Sequence, residues 1–329
     1  VNRKNRFNIA LTPFFPRISV VHFTLKQLRY VDAALRTGSI VQAAREMNIS
    51  QSSIAAAIDA SEALMGVPLF HRMPAKGIVP TDEGLLAASK IGAFLADARI
   101  LESDLLSSRG ATVGSLRMGC YAPTAPYMLP RILNRLTAQH PEIRIELREG
   151  DMESLVGFLN TGVIDAALTY RRTIPETMFF QPMFRARPYV LLPEVSPLAA
   201  KSELSLTDIA DLPMIMLDLA ATKPYFTSIF KQAGLAPRIV HTTQSSSVLR
   251  GLVAANYGYS ILNICGPNDR KGENGYVCRP LIGEIDEPAF GLAYTRNARH
   301  TPIVNAVLEI CSLLSSEGAF DDLFLAPAP

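Results

Sequence analysis

The side chains with the clearest capacity for recognition chemistry lie in one stretch, Gly38 to Glu62, which reads GSIVQAAREMNISQSSIAAAIDASE. In a DNA major groove, a glutamine such as Gln51 can pair with adenine, and an alanine can contact the methyl group of thymine. Serine hydroxyls and side-chain amides supply further hydrogen bonds to bases and phosphates. The candidate DNA-contacting residues of this stretch are Ser39, Gln42, Gln51, Ser52, Ser53, Ala55 and Ala56.

Two short helices joined by a tight turn would position these side chains. Ser39 precedes Gln42 by three residues, which predicts a capping box at the start of the first helix. Ser50 is a second N-cap candidate, and it opens a helix whose Ile54 and Ile58 form a buried stripe. The polar residues at the start of that helix then face outward, as in a helix-turn-helix. A plain pair of packed helices is the alternative, because such pairs are common.

Residues suited to catalysis or metal binding do not form a recognisable motif. An enzyme would need a nucleophile with a base, paired carboxylates or a metal cluster. The four cysteines show no C-x-x-C spacing, so neither a zinc site nor a disulfide framework is indicated. The histidines stand far apart, at His22, His71, His140, His241 and His300. We therefore predict no enzymatic activity, no metal site and no cofactor.

Composition indicates a globular chain with a basic N-terminal part. Hydrophobic residues make up 48% of the chain and charged residues 19%, and no apolar run approaches the ~18 residues of a membrane helix. Residues 1–81 hold ten Lys or Arg against four Asp or Glu, whereas the whole chain has a net charge of +2. This asymmetry suits a nucleic-acid-binding domain followed by a domain with another role. We expect a soluble protein of the reducing cytoplasm, with no membrane partner.

The segment from Phe23 to Gly84 resembles the N-terminal domain of LysR-type transcriptional regulators. It reads FTLKQLRYVDAALRTGSIVQAAREMNISQSSIAAAIDASEALMGVPLFHR, followed by MPAKGIVPTDEG, and it follows the family pattern nearly without gaps. The resemblance implies a winged helix-turn-helix domain over residues 23–81, with Arg72 and Lys76 of the wing near DNA phosphates. An ordinary solvated hairpin is the alternative for the wing. Family members usually carry a basic residue near Ala56, where this chain has alanines at positions 55 to 57.

Residues 1–22 form a basic extension ahead of the family-like part, and we predict that they are disordered. They contain four basic residues and no acidic one. A basic arm on DNA and an alternative start of translation are two further interpretations. A signal peptide is disfavoured because Pro13 and Pro16 interrupt the apolar part.

One long amphipathic helix is predicted from residue 82 to residue 108, followed by a hinge over residues 109–114. Apolar residues recur in this helix at alternating spacings of four and three, which is the pattern of a coiled-coil seam. In the LysR family the matching helix pairs two subunits, so the resemblance implies a homodimer or homotetramer. Packing of the helix on its own domain is the alternative. The predicted dimerisation residues are Ile91, Phe94, Ala98, Leu101 and Leu105, which follow Ala87 in the same seam.

From residue 115 onward, strands and helices alternate, which predicts an α/β fold with a parallel sheet. The order resembles the effector domain of LysR-type regulators, which is similar to the type 2 periplasmic binding proteins. Subdomain I would comprise residues 115–170 and 289–316, subdomain II residues 171–288, and Ala319 to Pro329 a loose tail. The predicted fold class is thus multidomain α/β, with a winged helix-turn-helix, a long dimerisation helix and a two-subdomain effector domain.

A ligand of such a domain would occupy the crevice at the carboxyl ends of the strands, against helix N-termini. Thr124 is the leading candidate, because it matches the position where relatives place a hydroxyl for the effector. Asp151 can orient a ligand amine or hydroxyl, but it can equally cap the helix that follows, and serines before helices are often caps. Backbone amides at helix starts can bind a carboxylate. We predict a small organic acid or amine, bound by Pro123, Thr124, Asp151, Tyr170, Asp218, Thr222, Lys223, Ser245 and Ser246.

The sequence therefore predicts a LysR-type DNA-binding regulator whose contacts with a two-half-site operator change when a small molecule binds in the C-terminal cleft. Two alternatives stay open. A non-regulatory solute-binding protein would share the second half of the chain but lack residues 23–106. A thiol-responsive regulator of the same fold could use Cys265 and Cys278, which flank one loop. In peroxide-sensing relatives, however, the cysteine pair follows the strand that matches MIML.

Overall fold

The computed structural model describes residues 22–73, 77–107, 114–270, 274–296 and 298–325. The chain divides into two compact units, Val1–Ala87 and Ala88–Pro329. Nearly all of the predicted N-terminal extension, the wing residue Lys76 and most of the predicted hinge lie outside the described residues. Across the ranges given above, no helix has the length and apolar character needed to span a membrane.

The first unit is a three-helix domain with a short hairpin. Its elements are α1 (Leu25–Thr37), α2 (Ile40–Glu46), α3 (Gln51–Met65), β1 (Phe70–Met73) and β2 (Gly77–Pro80), the two strands being antiparallel. Thr24 and Gln27 form a capping box at the start of α1, and Ser50 caps α3 as predicted. Gly38 ends α1 with a φ of +61°, a left-handed conformation that glycine adopts without steric cost. Ile54 and Ile58 are buried, which confirms the predicted stripe of α3.

The helix α4 (Asp82–Ser107) begins in the first unit and continues in the second. Its 26 residues match the predicted span closely. Gly92 lies so close to the backbone of Thr161 that an added Cβ would be 2.2 Å from the Thr161 carbonyl oxygen. Gly92 and Thr161 both belong to the second unit, so this part of α4 is packed within that unit.

A five-stranded mixed sheet forms the first subdomain of the second unit. Its strands are β3 (Gly114–Tyr121), β4 (Ile143–Gly150), β5 (Ala166–Tyr170), β6 (Phe179–Arg185) and β12 (Ala289–Tyr294). They lie in the order β4-β3-β5-β12-β6; β3 is parallel to β4 and β5, and β12 is antiparallel to β5 and β6. The helices of this subdomain are α5 (Ala125–Gln139), α6 (Met152–Asn160) and α10 (Pro302–Ser316).

Two smaller sheets form the second subdomain. The strands are β7 (Tyr189–Pro193), β8 (Pro213–Leu217), β9 (Arg238–Thr243), β10 (Ser260–Leu262) and β11 (Tyr276–Pro280). The order β10-β7-β11 is antiparallel, and β8 is parallel to β9. The helices are α7 (Leu206–Ile209), α8 (Thr222–Gln232) and α9 (Ser246–Ala254). Tyr259, Phe226 and Phe230 are among the largest fully buried side chains of its core.

The structure corrects three predictions for this unit. The first sheet is mixed rather than parallel, because β12 returns antiparallel. The predicted subdomain boundary at residue 171 is wrong for β6, which pairs with β12; Pro182 of β6 lies at a register shift on the edge of the sheet, where a missing N–H is tolerated. The predicted loose tail is wrong for residues 319–325, since Phe320 and Leu323 are buried in the core.

Candidate functional sites

The helix-turn-helix presents most of the predicted DNA-contacting side chains at its surface. Gln51, Ser52 and Ala56 of α3 are exposed, whereas Ser53 and Ala55 are half-buried. The Ser50 hydroxyl lies 2.8 Å from that of Ser52 and 2.9 Å from that of Ser53. The two serines are thus part of the cap, and Gln51 has the freest side chain for reading bases.

The start of α2 departs from the prediction in one detail. The Ser39 side chain accepts a hydrogen bond from the Gln42 backbone N–H at 3.3 Å, but the Gln42 side chain makes no return bond, so this is a simple cap and no capping box. The Gln42 side chain is instead exposed to solvent. Arg45, also exposed on α2, is a further candidate for a phosphate contact that the sequence interpretation missed.

Arg72, the described basic residue of the predicted wing, forms an ion pair with Asp59 of α3. Both side chains are well exposed, so the pair is open to exchange with a DNA phosphate. The α3 sequence QSSIAAAIDASEALM contains no Lys or Arg. Any ionic contact with a phosphate would therefore come from a residue outside α3, such as Arg72.

The predicted dimerisation residues fall into two groups. Phe94, Leu101 and Leu105 are 52%, 60% and 66% exposed. Ile91 is only 5% exposed, because it is already covered within the single chain. Ala98 is half-buried. Ile91 is thus poorly placed for a contact between subunits.

A cavity lies between the two subdomains of the second unit, at the carboxyl ends of β3 and β5. The cavity volume is about 30 Å³, room for about two water molecules, and the empty space is about 450 Å³ when the open mouth is included. The cavity is lined by Tyr121, Pro123, Thr124, Met152, Tyr170, Arg172, Leu217, Thr222, Tyr225, Phe226, Arg250, Leu262, Asn263, Ile264 and Pro288.

Four of the predicted effector-binding residues border this cavity, namely Pro123, Thr124, Tyr170 and Thr222. The Thr124 hydroxyl donates a hydrogen bond to the Tyr121 carbonyl oxygen at 2.9 Å. It can therefore accept a bond from a ligand but has no proton left to donate. The Thr222 hydroxyl lies 2.7 Å from that of Tyr121, which joins the two subdomains across the cleft.

The other five predicted residues do not line the cavity. Asp151 caps α6, accepting from the Ser154 N–H at 2.8 Å, and Ser245 caps α9. The alternative interpretation of these side chains as helix caps therefore agrees with the structure. The carbonyl oxygen of Ser246, the first residue of α9, accepts a hydrogen bond from the Arg250 guanidinium. Lys223 and Asp218 form an ion pair with each other at 3.2 Å. The side chains of Asp151, Ser245, Lys223 and Asp218 thus already have structural roles, whereas Ser246 contributes its backbone carbonyl oxygen.

The cavity wall also contains polar residues that are not among the predicted effector-binding residues. Asn263 donates to the Tyr225 hydroxyl at 3.2 Å, and that hydroxyl in turn donates to the Asp286 carbonyl oxygen at 2.8 Å. The guanidinium of Arg172 lies 4.5 Å from the centre of the Tyr225 ring. Burial raises the pKa of Tyr225, so its hydroxyl remains protonated at neutral pH. These residues lie far apart in the sequence, and no local pattern marks them as a group.

Arg250 links the cavity to a buried cluster. Its guanidinium donates to both carboxylate oxygens of Asp269 at 3.1 Å. Asp269 also accepts from the hydroxyls of Tyr127 at 3.0 Å and Tyr276 at 2.6 Å. Burial raises the pKa of Asp269, but the charge of Arg250 and the hydrogen bonds from Tyr276, Arg250 and Tyr127 together outweigh burial and hold the pKa below its usual value. Since Tyr127 lies on α5 and Arg250 on α9, the cluster connects the two subdomains.

The four cysteines are free and buried. Cys265 and Cys278 lie in the same core cluster, and their thiols donate to the carbonyl oxygens of Gly266 at 3.9 Å and Asp269 at 3.3 Å. Their mutual interaction lowers the pKa of Cys265 and raises that of Cys278. Burial raises the pKa values of Cys120 and Cys311 to about 12, which keeps both thiols protonated and unreactive at neutral pH.

Comparisons with known proteins agree with this architecture. A family model described as "LysR substrate binding domain" matches residues 109–313, and one described as "Bacterial regulatory helix-turn-helix protein, lysR family" matches residues 25–85. The chain belongs to the LysR family of transcriptional regulators. As a LysR-type regulator it combines a DNA-binding domain with an effector-binding domain, and it is not an enzyme.

Individual relatives cover most of the chain at moderate identity. A hydrogen peroxide-inducible genes activator from Haemophilus influenzae is 27% identical over 89% of this chain and 96% of its own length. The regulator CfxR from Cupriavidus necator is 26% identical over 85% of this chain and 88% of its own. A putative LysR family regulator of known structure from Pseudomonas aeruginosa is 27% identical, with a TM-score of 0.59 over 89% of this chain and 99% of its own.

Full-length OxyR from Pseudomonas aeruginosa aligns with a TM-score of 0.71, covering 89% of this chain and 98% of its own, but it is only 19% identical. That likeness bears on the fold alone. The LysR fold predicted from the sequence is therefore confirmed, including the winged helix-turn-helix and the two-subdomain effector domain.

Proposed function

We propose that this LysR-type regulator binds an operator of two half-sites as a homodimer or homotetramer, in the cytoplasm, and changes its DNA contacts when a small molecule occupies the cleft. The observation that carries the effector part is the cavity whose walls come from both subdomains. A ligand that touches both walls favours one subdomain arrangement over another only through its differential binding to the two.

The DNA-reading part of the proposal rests on the surface of α3. Gln51 and Ser52 are exposed at its first turn, where a recognition helix contacts base edges. Arg72 lies on the neighbouring hairpin and would contact the DNA backbone, together with Lys76, without reading sequence. The exposed face of α4 at Phe94 and Leu101 would pair two subunits and so set the spacing of the two half-sites.

The test is selection of DNA sites from a random duplex pool by the full chain. We expect a motif with two half-sites about one helical turn, or a multiple of it, apart. Gln51→Ala should relax base preference at one position of each half-site, with a loss of discrimination of about 1 to 3 kcal/mol. Ala63→Ser, a substitution at an exposed position in the last turn of α3, is the matched control and should leave the motif unchanged. An unaltered motif with Gln51→Ala would contradict the assignment of α3 as the reading helix.

A second candidate function, regulation by thiol oxidation, is favoured by the neighbouring Cys265 and Cys278. A peroxide would oxidise the two thiols to a disulfide, losing two protons and two electrons and giving two molecules of water. The experiment compares operator binding by the wild type and by Cys265→Ser before and after hydrogen peroxide. A peroxide response that Cys265→Ser abolishes would support this candidate, and a response that persists would exclude this pair.

A further inference from the structure

The charge of the cavity wall is one-sided. Arg172 and Arg250 are the charged residues among the described residues that line it, and no acidic side chain lines it with them. The walls are otherwise aromatic or aliphatic, with hydroxyls of tyrosine and threonine between them. An ammonium group placed here would meet two guanidinium groups whose counter-charges, Asp286 and Asp269, are already paired with them. A carboxylate would instead meet cations and hydrogen-bond donors.

Tyr170 supplies an unused donor in this wall. The side chain is 4% exposed and packs edge-on against the rings of Tyr121 and Phe290, with ring centres 5.7 and 5.0 Å apart. Its hydroxyl makes no hydrogen bond with any residue of the described ranges, so its proton is available to a ligand in the cavity. Burial raises the pKa of Tyr170 well above its ordinary value, so the hydroxyl keeps its proton to donate.

The two arginines differ in how much of their binding capacity is used. Arg250 is held by both oxygens of Asp269 and by the Ser246 carbonyl oxygen, so its orientation is fixed by the protein. Arg172 has one ion pair, with Asp286, and rests on the face of the Tyr225 ring. That ion pair is partly exposed and therefore weak. The planar fork of Arg172 thus retains donors for a second, bidentate partner.

We propose that the effector is a small organic monoanion, a carboxylate with a short apolar body, and that the Tyr170 hydroxyl and the Arg172 guanidinium bind its head group. This inference rests on the proposed function, since it names the ligand class of the same cleft. Of the two ligand classes predicted from the sequence, an organic acid or an amine, the cavity wall favours the acid. The apolar body lies among Met152, Leu217 and Phe226, and the empty space of about 450 Å³, mouth included, admits a short body.

The experiment uses matched probes that share a skeleton and differ in the head group. One set is 3-methylbutanoate, 3-methylbutylamine and 3-methylbutan-1-ol, and the other is phenylacetate, 2-phenylethylamine and 2-phenylethanol. Each probe is titrated into the full wild-type chain at neutral pH by calorimetry and thermal shift. We expect at least one carboxylate to bind, and the amine and alcohol of its set to bind at least tenfold more weakly, because hydrogen bonds to a charged group are the stronger kind.

Three variants then locate the head group. Arg172→Gln and Tyr170→Phe should each weaken the carboxylate by about 10- to 150-fold, the effect of losing a hydrogen bond with a charged group. Arg171→Gln is the matched control: it removes the same charge one residue away, from a side chain that bonds to the Ile174 carbonyl oxygen and does not line the cavity. Its carboxylate affinity should stay within about twofold of the wild type.

The outcomes separate this inference from the proposed function. Tighter binding of an amine or alcohol, or a carboxylate affinity that Arg172→Gln and Tyr170→Phe leave unchanged, would overturn the anion assignment while leaving ligand binding in the cleft intact. Failure of both carboxylates to bind would overturn the inference for short apolar acids. Failure of the unliganded chain to select an operator would instead contradict the proposed function, whatever the probes do.

Discussion

At the scale of single residues, the ion pair between Arg72 and Asp59 sets a testable condition for DNA binding. Both side chains are exposed, and Asp59 competes with phosphate for the same guanidinium. Arg72→Ala should weaken binding on all sequences and flatten the slope of log K against log salt by about one. Asp59→Asn should have the opposite effect on affinity, because it frees Arg72 and removes a negative charge that faces DNA. Salt titrations of operator binding measure both.

The double variant Asp59→Asn/Arg72→Ala is the control for this pair. If Asp59 acts by occupying Arg72, the Asp59 substitution should gain little once Arg72 is absent. An equal gain in both backgrounds would mean that Asp59 acts on DNA directly.

Asp269 is the residue whose loss should affect stability most in the cleft region. Asp269→Asn would leave the buried Arg250 without its counter-charge, which costs about 3 to 5 kcal/mol in unfolding free energy. The native pKa of Asp269 is depressed, so its contribution is present above the unfolded pKa of about 3.9 and is lost as the pH falls through the lower native value. Thermal and urea unfolding between pH 7 and pH 3 measure both effects.

Asp218→Asn is the matched control for Asp269→Asn. Asp218 also pairs with a cation, Lys223, but both side chains are about 40% exposed. Such a pair contributes about 0 to 1 kcal/mol. Equal destabilisation by the two substitutions would contradict the role of burial in the Asp269 cluster.

At the scale of elements, α4 has two faces with different expected roles. Replacing Phe94 and Leu101 with Lys places charge on the exposed seam, so the full chain should become monomeric or much weaker in self-association. Ile91→Lys should instead destabilise the single chain, because Ile91 is already buried in it. Sedimentation measures the mass, and thermal unfolding measures the stability.

Leu86→Lys is the control for the seam, since Leu86 is exposed on α4 but does not fall on the spacing of four and three. It should leave the mass of the oligomer unchanged. A chain that keeps its oligomeric mass with Lys at both Phe94 and Leu101 would show that subunits pair elsewhere.

At the scale of the whole second unit, the segment after α10 fastens the subdomains to each other. Phe320 packs against Phe184, with ring centres 5.4 Å apart, and the Leu323 carbonyl oxygen accepts from the Cys265 N–H at 2.9 Å. Phe320→Ala removes a buried aromatic side chain and should lower the unfolding free energy by about 3 to 5 kcal/mol. Leu313→Ala, at an exposed position of α10, should cost less than about 0.5 kcal/mol. Similar losses for the two would contradict a packed C-terminal segment.

The sequence alone determined the elements whose causes are local. The capping pair Thr24 and Gln27 and the N-cap Ser50 lie within a few residues of the amides they satisfy, so their spacing predicts the helix starts directly. The long amphipathic pattern likewise predicted α4. These features depend on contacts within one or two helical turns, so the spacing of residues in the sequence is enough to predict them.

The tertiary structure decided what depends on distant parts of the chain. β6 and β11 are each defined by pairing with a strand far away in sequence, and Phe320 becomes a core residue only when α10 returns to the sheet. Thr124 was favoured over Tyr170, since a sequence cannot show that the Thr124 hydroxyl proton is already donated to a backbone oxygen. Arg172 after β5, Arg250 on α9 and Asn263 after β10 face one cavity because the fold brings these three segments together. The sequence within a few residues of a helix start determines where that helix begins. Only tertiary packing decides which polar groups remain unpaired and which sign of charge lines the cleft.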